Sequence, residues 1–384
     1  MTSRFVRYSL PCLLLLALAS PSSAGSRRSS LAGNLLIPDT DDIFIFPNLV
    51  TDHKRMVTFN MGPNQGLGSG GLVFGTEKLT FAAFAHRSDF LGAVNSAFNT
   101  IGDADSAAIH AAGTTRPLGG GPALGALNWI DAMVGLEAMG MPWGLRYSMG
   151  RNVSESGTNK NSITSVNAVV GTHLGAVNAD ASAEFSYATT DSAGQTKGSP
   201  FGFSVAARRT PSDQSDNLVL GWLGNFDWRK RSTDVTSGST TATTDYSRLN
   251  FIAGVGPVYK PSDRTNVAMY GTFEFEQNKT TPKSGSEKKS TTLTIPGWNI
   301  AAEMDVASWL QVRAGLRSSF TFNKTEPGPN KTNEHPFQWT SGVGIHLNNL
   351  QIDGYLDPRV VTTGTDLLGN NDSTFGLVTA SYHF

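Results

Sequence analysis

The sequence predicts an all-β chain: an antiparallel transmembrane β-barrel of fourteen strands, or sixteen, with a plug-like N-terminal segment. Three observations carry this. From about residue 79 to Phe384, apolar and polar residues alternate every second position within short segments. Between those segments, brief turns alternate with long polar stretches. Beyond the first residues there is no run of about 20 apolar residues, so helical membrane spans are excluded. A closed barrel is the other structure that satisfies every backbone group in lipid, and it needs only half its side chains apolar. The mean hydropathy of −0.19 is compatible with that.

Residues 1–24 read as a cleaved secretory signal. Arg4 and Arg7 precede a short apolar run from Leu10 to Ala19, and Ser22-Ser23-Ala24 offers a small-x-small cleavage site. Cys12, the single cysteine, precedes most of that run, which argues against lipoprotein processing. The mature chain then has no thiol for a disulfide, a nucleophile or a thiolate metal site. Losing Arg4 and Arg7 from 30 basic and 31 acidic residues leaves 28 against 31, or −3. That balance gives no case for nucleic-acid binding.

Residues 25–78 form the N-terminal segment. It is expected either as a plug threaded into the lumen or as a first hairpin, with strands at 55–62 and 69–75. Asp39, Asp41 and Asp42 lack the spacing of a calcium loop and read as a solvated turn.

Residues 79–384 form the barrel. Val177, Ala179, Ala181, Ala183, Phe185 and Tyr187 share one face, and Asn178, Asp180, Ser182, Glu184 and Ser186 share the other. The period is 2.0, which means strand. The segments 310–322 and 337–348 repeat the design, and Pro296 points to a bulge in 291–305. Short turns are expected near 139–141, 174–176, 210–216, 260–264, 305–308 and 348–350. Long external loops are expected at 88–128, 152–161, 190–198, 231–245, 278–290, 323–335 and 358–373, with a weak helical pattern in 90–112. Seven long loops need fourteen flanking strands.

A soluble barrel would also alternate, but its apolar side chains would point inward, and these small Ala-, Gly- and Ser-rich faces cannot fill a core of that size. Trp143, Tyr187, Phe201, Trp228, Tyr259, Phe275, Phe322 and Phe337 lie near strand ends on the apolar face, as interfacial girdles require.

The last strand ends Val378, Ala380, Tyr382, Phe384 at alternate positions. It resembles the C-terminal signal of bacterial outer-membrane proteins. The resemblance implies an outer-membrane location and recognition of Tyr382 and Phe384 by the barrel-assembly machinery. Fourteen strands behind a segment of about 50 residues also resemble the outer-membrane long-chain fatty-acid transporter family, whose N-terminal segment plugs the lumen. The stretch from Asp42 to Val50, around Phe46-Pro47-Asn48, loosely matches that family's Asn-Pro-Ala element.

If the apolar face meets lipid, the other face lines the lumen. It carries eleven acids: Asp131, Glu137, Asp180, Glu184, Asp227, Glu274, Glu276, Glu303, Asp305, Asp353 and Asp357. It carries six arginines: Arg146, Arg208, Arg229, Arg248, Arg313 and Arg317. On the lipid face each charge would cost roughly 2–4 kcal/mol near the midplane. The expectation is a salt-bridged wall or a pore whose acid excess favours cations.

No catalytic motif is found: no zinc-protease His pair and no Gly-x-Ser-x-Gly. The nearest thing to one is His346 beside Ser341. The sequence therefore predicts a non-enzymatic pore or passive transporter in outer-membrane lipid, moving a small solute without a cofactor or metal. Two other readings stand beside it: a structural or adhesive barrel acting through surface loops, and an outer-membrane hydrolase. Alternation locates no flat patch that would specify an oligomer.

Overall fold

The computed structural model describes residues 25–61, 69–87, 128–156, 159–192, 196–199, 201–210, 217–237, 240–283, 285–328, 331–356 and 375–384. The candidate signal, the long segment 88–127 with its weak helical pattern, and Asp357 lie outside them.

After a short helix, α1 (Ser26–Ser30), and two 3-10 turns (Thr40–Phe44 and Pro47–Asp52), the chain is all strand. The first nine strands are β1 (Arg55–Met61), β2 (Ser69–Gly75), β3 (Leu79–Arg87), β4 (Asn128–Ala138), β5 (Met141–Ser156), β6 (Asn159–Leu174), β7 (Ala179–Ser192), β8 (Thr196–Gly198) and β9 (Phe201–Arg209). The remainder are β10 (Leu218–Ser237), β11 (Thr240–Ser262), β12 (Thr265–Pro282), β13 (Lys288–Ala307), β14 (Leu310–Glu326), β15 (Lys331–Glu334), β16 (Phe337–Leu347), β17 (Leu350–Leu356) and β18 (Phe375–His383).

Apart from β8 with β9 and β15 with β16, each strand pairs antiparallel with its sequence neighbour, and β18 returns to pair with β1 from Met56↔His383 to Met61↔Val378. Two staves are each made of two pieces. Both β8 and β9 bridge β7 and β10, and β15 and β16 both pair with β14. Eighteen strand segments thus close a barrel of sixteen staves among the described residues, the larger of the two expected numbers. Residues 55–61 and 69–75 supply the two additional staves. Closure removes the unpaired edges that an open sheet would present.

The outer face is apolar. Phe81, Ile130, Leu145, Tyr147, Phe185, Phe203, Leu220, Phe251, Val255, Phe273 and Leu316 are all exposed. Toward the end away from the short turns, aromatics form a belt in which Phe201 and Trp228 pack edge to face at 5.4 Å and Trp298 and Phe337 lie 6.4 Å apart. An exposed apolar band with an aromatic rim on a closed sheet is the geometry of a transmembrane barrel.

At the Pro296 site the register of β13 against β14 shifts between Thr294 and Gly297. Buried positions change there from even-numbered (Thr294) to odd-numbered (Asn299, Ala301, Glu303), so one extra residue re-aims the strand.

The polar stretches 231–245 and 278–290, expected as loops, are mostly strand. β10 and β11 remain paired up to Ser237↔Thr240, and β12 and β13 up to Thr280↔Lys288. At about 3.4 Å per residue and a tilt near 40°, the 23 residues of β11 raise roughly 60 Å of wall, against an apolar band of about 25 Å. The physical reason is simple. Leaving lipid changes which side chains are favoured, not whether the backbone pairs, and Thr-rich alternation suits a sheet in water.

Candidate functional site

The concave side of the barrel carries the charges. Asp131, Arg146, Asp180, Arg208, Asp227, Arg229, Arg248, Glu274, Glu276, Glu303, Arg313 and Asp353 are all buried there. Glu184, Asp305 and Arg317 are half-buried. Glu137 is exposed next to the β4–β5 turn, where the barrel mouth meets water.

Residues 25–53 cross this interior. Leu31, Leu35, Leu36, Ile37, Ile43, Phe46 and Val50 are fully buried. One apolar group packs Leu35, Leu36, Ile37 and Phe46 against Leu223, Ile252, Ala268 and Tyr270 of the wall. A second packs Ile43, Phe44 and Val50 against Met56, Val73, Phe84 and Met133. Small inward residues seat the crossing. A Cβ on Gly144 would lie 2.1 Å from the carbonyl carbon of Pro47, and one on Gly315 would lie 2.5 Å from the amide nitrogen of Ala32. Only glycine permits backbone to approach a strand this closely.

Ion pairs then tie the segment to the wall. Asp42, 1% exposed, accepts from Arg208 at 2.7 Å and from Arg28. Asp39 and Asp42 form a reciprocal capping box around the first 3-10 turn. The reading of these aspartates as a solvated turn is thereby corrected: Asp39 and Asp42 are folded inward against arginines, and Asp41 accepts from the Gly25 amide. Burial works against the charge on Asp39, but Arg28 and Arg27 outweigh it and hold its carboxyl below the usual range. Burial pushes Asp52 up and His53 down, a short distance along the chain.

Arg208 also meets Asp180 at 3.5 Å and donates to the Leu35 carbonyl at 3.0 Å. Asp180 in turn holds His173 at 3.1 Å and Asn48 at 3.3 Å. Arg146 donates to the Phe44 carbonyl and to Asn167 at 2.9 Å, 3.9 Å from Asp131. Across the barrel, Arg27 is bidentate to Glu303, donating from Nη2 to Oε1 at 2.8 Å and from Nε to Oε2 at 3.2 Å, and Arg313 links Glu303 (3.6 Å) to Asp353 (2.6 Å). Asn34 bonds Asn299 at 2.7 Å.

A second set of charges pairs strand to strand. Arg229 meets Asp227 at 2.9 Å, Glu184 at 3.2 Å and Ser186 at 2.6 Å. Arg248 meets Glu276 at 2.6 Å, beside Asn250 and Glu274 at 3.1 Å. Arg231 stacks over Tyr246, 4.3 Å from its ring centre. Arg317 donates to Gln338 at 2.6 Å, and Asp305 accepts from Gln311 at 2.9 Å.

The Ser341–His346 pairing dissolves. Five residues apart on one strand, β16, they point to opposite faces: His346 shares the inward parity of buried Gly342 and Gly344, and Ser341 the outward one. Tyr382 and Phe384 are exposed at the barrel seam, where the Phe384 amide bonds the Arg55 carbonyl at 3.1 Å. Sequence reasoning missed Arg27, Arg28 and the seating glycines. The D-x-x-D capping pattern at Asp39 was the signal available for the turn.

No protein-family model matches the chain, and no curated protein does. Among solved structures it is similar to the toluene transporter TodX of Pseudomonas putida, at 10% identity and a TM-score of 0.38, over 96% of this chain and 100% of that one. It is similar to the translocator domain of the autotransporter NalP from Neisseria meningitidis, at 12% identity and a TM-score of 0.31, over 64% of this chain and 88% of that one. The siderophore receptor PirA from Pseudomonas aeruginosa matches at 7% identity and a TM-score of 0.34, over 86% and 81%.

Proposed function

We propose that the chain is an outer-membrane passive transporter whose lumen is gated by residues 25–53. The observation that carries this reading is the crossing segment, packed through two apolar groups against β1–β4 on one side and β9–β13 on the other, and ion-paired to β9 and β13. A segment held by charge pairs can be released by competition for those charges, whereas an apolar core alone offers no such handle. The strand-to-strand pairs of Arg229 and Arg248 supply a polar wall suited to a small hydrated solute rather than an oily one. The protein is not an enzyme in this reading. The last strand is read by the barrel-assembly machinery through Tyr382 and Phe384, and outer-membrane lipid surrounds the apolar band.

The test is single-channel conductance of the refolded chain in a planar bilayer, beside a version lacking residues 25–53. Low conductance in the intact protein and a steady open level after deletion are expected. Steady conductance in both would overturn the gate. Silence in both would favour the adhesive reading, which the tall polar wall of β10–β13 supports, and would sink transport.

A further inference from the structure

We propose that proteolytic removal of residues 1–24 creates part of the lock: the new α-ammonium of Gly25 forms an ion pair with the carboxylate of Asp41 inside the barrel. The inference holds whatever solute the barrel passes.

Three observations meet at this point. Gly25 is buried, and its nitrogen donates directly to Asp41 Oδ2. The next residue is fixed on both sides, with the Ser26 amide on Thr379 Oγ1 at 3.1 Å and the Ser26 hydroxyl on the Asp353 carbonyl at 2.8 Å. The Gly25 nitrogen is therefore held in place and does not drift. Finally, a Cβ on Gly25 would sit 2.1 Å from Asp41 Oδ2. A larger residue would push the Asp41 carboxylate aside, and glycine stands at the position that follows the small-x-small site Ser22-Ser23-Ala24.

The chemistry is hydrolysis by a signal peptidase. Water adds across the Ala24–Gly25 amide, leaving a carboxylate on Ala24 and a primary amine on Gly25. With an ordinary value of about 7.7–8.0, that amine is mostly protonated at neutral pH. A single neutral N–H becomes a charged group with three N–H donors at the same place, and a charge-assisted bond is roughly twice as strong as a neutral one. Cleavage and seating of the segment are thereby coupled: an unprocessed chain lacks the charge.

The test uses the full chain expressed with its own leader and purified folded from membranes. Intact-mass and N-terminal sequencing should show Gly25 as the first residue. An N-terminal-selective aldehyde reagent at neutral pH should label the folded protein at least tenfold more slowly than the urea-unfolded chain. Asp41→Asn, which keeps the shape and removes the charge, should recover most of that tenfold. A mature chain that starts elsewhere would overturn the proposal, as would equal labelling of folded and unfolded protein. A slow amine whose rate Asp41→Asn leaves unchanged would also overturn it, since burial alone would then explain the protection. The folded-against-unfolded comparison needs no variant, so a misfolded substitution does not block the test.

Discussion

The inward arginines fall into two groups. Arg208, Arg146 and Arg313 are committed to the crossing segment, directly through Asp42 and the Phe44 carbonyl or through Glu303, which Arg27 shares. Arg229 pairs with Glu184 and Ser186 of β7 and with Asp227 of its own strand, and Arg248 pairs with Glu276 of β12. Identical side chains on the same concave face therefore do different jobs. The first group makes barrel and segment depend on each other. The second pairs wall residues with one another. We expect a barrel built this way to keep its shape when the segment is released.

The largest way to break the contrast is Asp42→Asn, which takes the carboxylate from both Arg28 and Arg208 in a fully buried setting. Removing one side of such a pair costs roughly 3–5 kcal/mol. We expect residues 25–53 to become protease-sensitive while the heat-modifiable mobility of the folded barrel is retained; loss of the barrel itself would refute the two-group division. Next is Gly144→Ala, whose Cβ meets the Pro47 backbone. Overpacking of this kind costs about 1–3 kcal/mol, and it should loosen the segment without altering charge, again read by proteolysis.

Arg229→Met should cost about 1.5–3 kcal/mol in barrel stability, from the lost charge-assisted bonds, and leave the protease sensitivity of residues 25–53 unchanged. Release of the segment by this variant would erase the distinction.

Acid sharpens the comparison. Asp39 titrates below its ordinary value of 3.8 in the folded state, so its contribution is present above that value and is lost as pH falls through the lowered one. Segment release should therefore rise below about pH 4, and Asp39→Asn should flatten that rise; conductance recorded between pH 5 and pH 3 checks both. The smallest effect is expected from Lys279→Ala, which breaks a half-exposed pair with Glu287 on the outer wall. Such pairs are worth about 0–1 kcal/mol, and neither melting nor proteolysis should change beyond that.

Much of the barrel was legible because period-two alternation is a local property. It placed Asp180 and Glu184 opposite Phe185 and Tyr187 from sequence alone, and Pro296 marked its own bulge. The height of the wall was not legible. Polarity in 231–245 reports the end of lipid, whereas strand ends are set by pairing, which no single segment reveals. Partner choice was likewise hidden. Nothing near Arg208 in sequence points to Asp42, 166 positions earlier, because only closure of the sheet brings them together.

The helix at the start of the segment rests on the final stave: Ser26 bonds Thr379, which also holds Asn60 of the first stave at 2.7 Å. The start of the crossing segment is thus clasped by the stave that also closes the seam with β1, so a chain truncated before β18 has no clasp for Ser26.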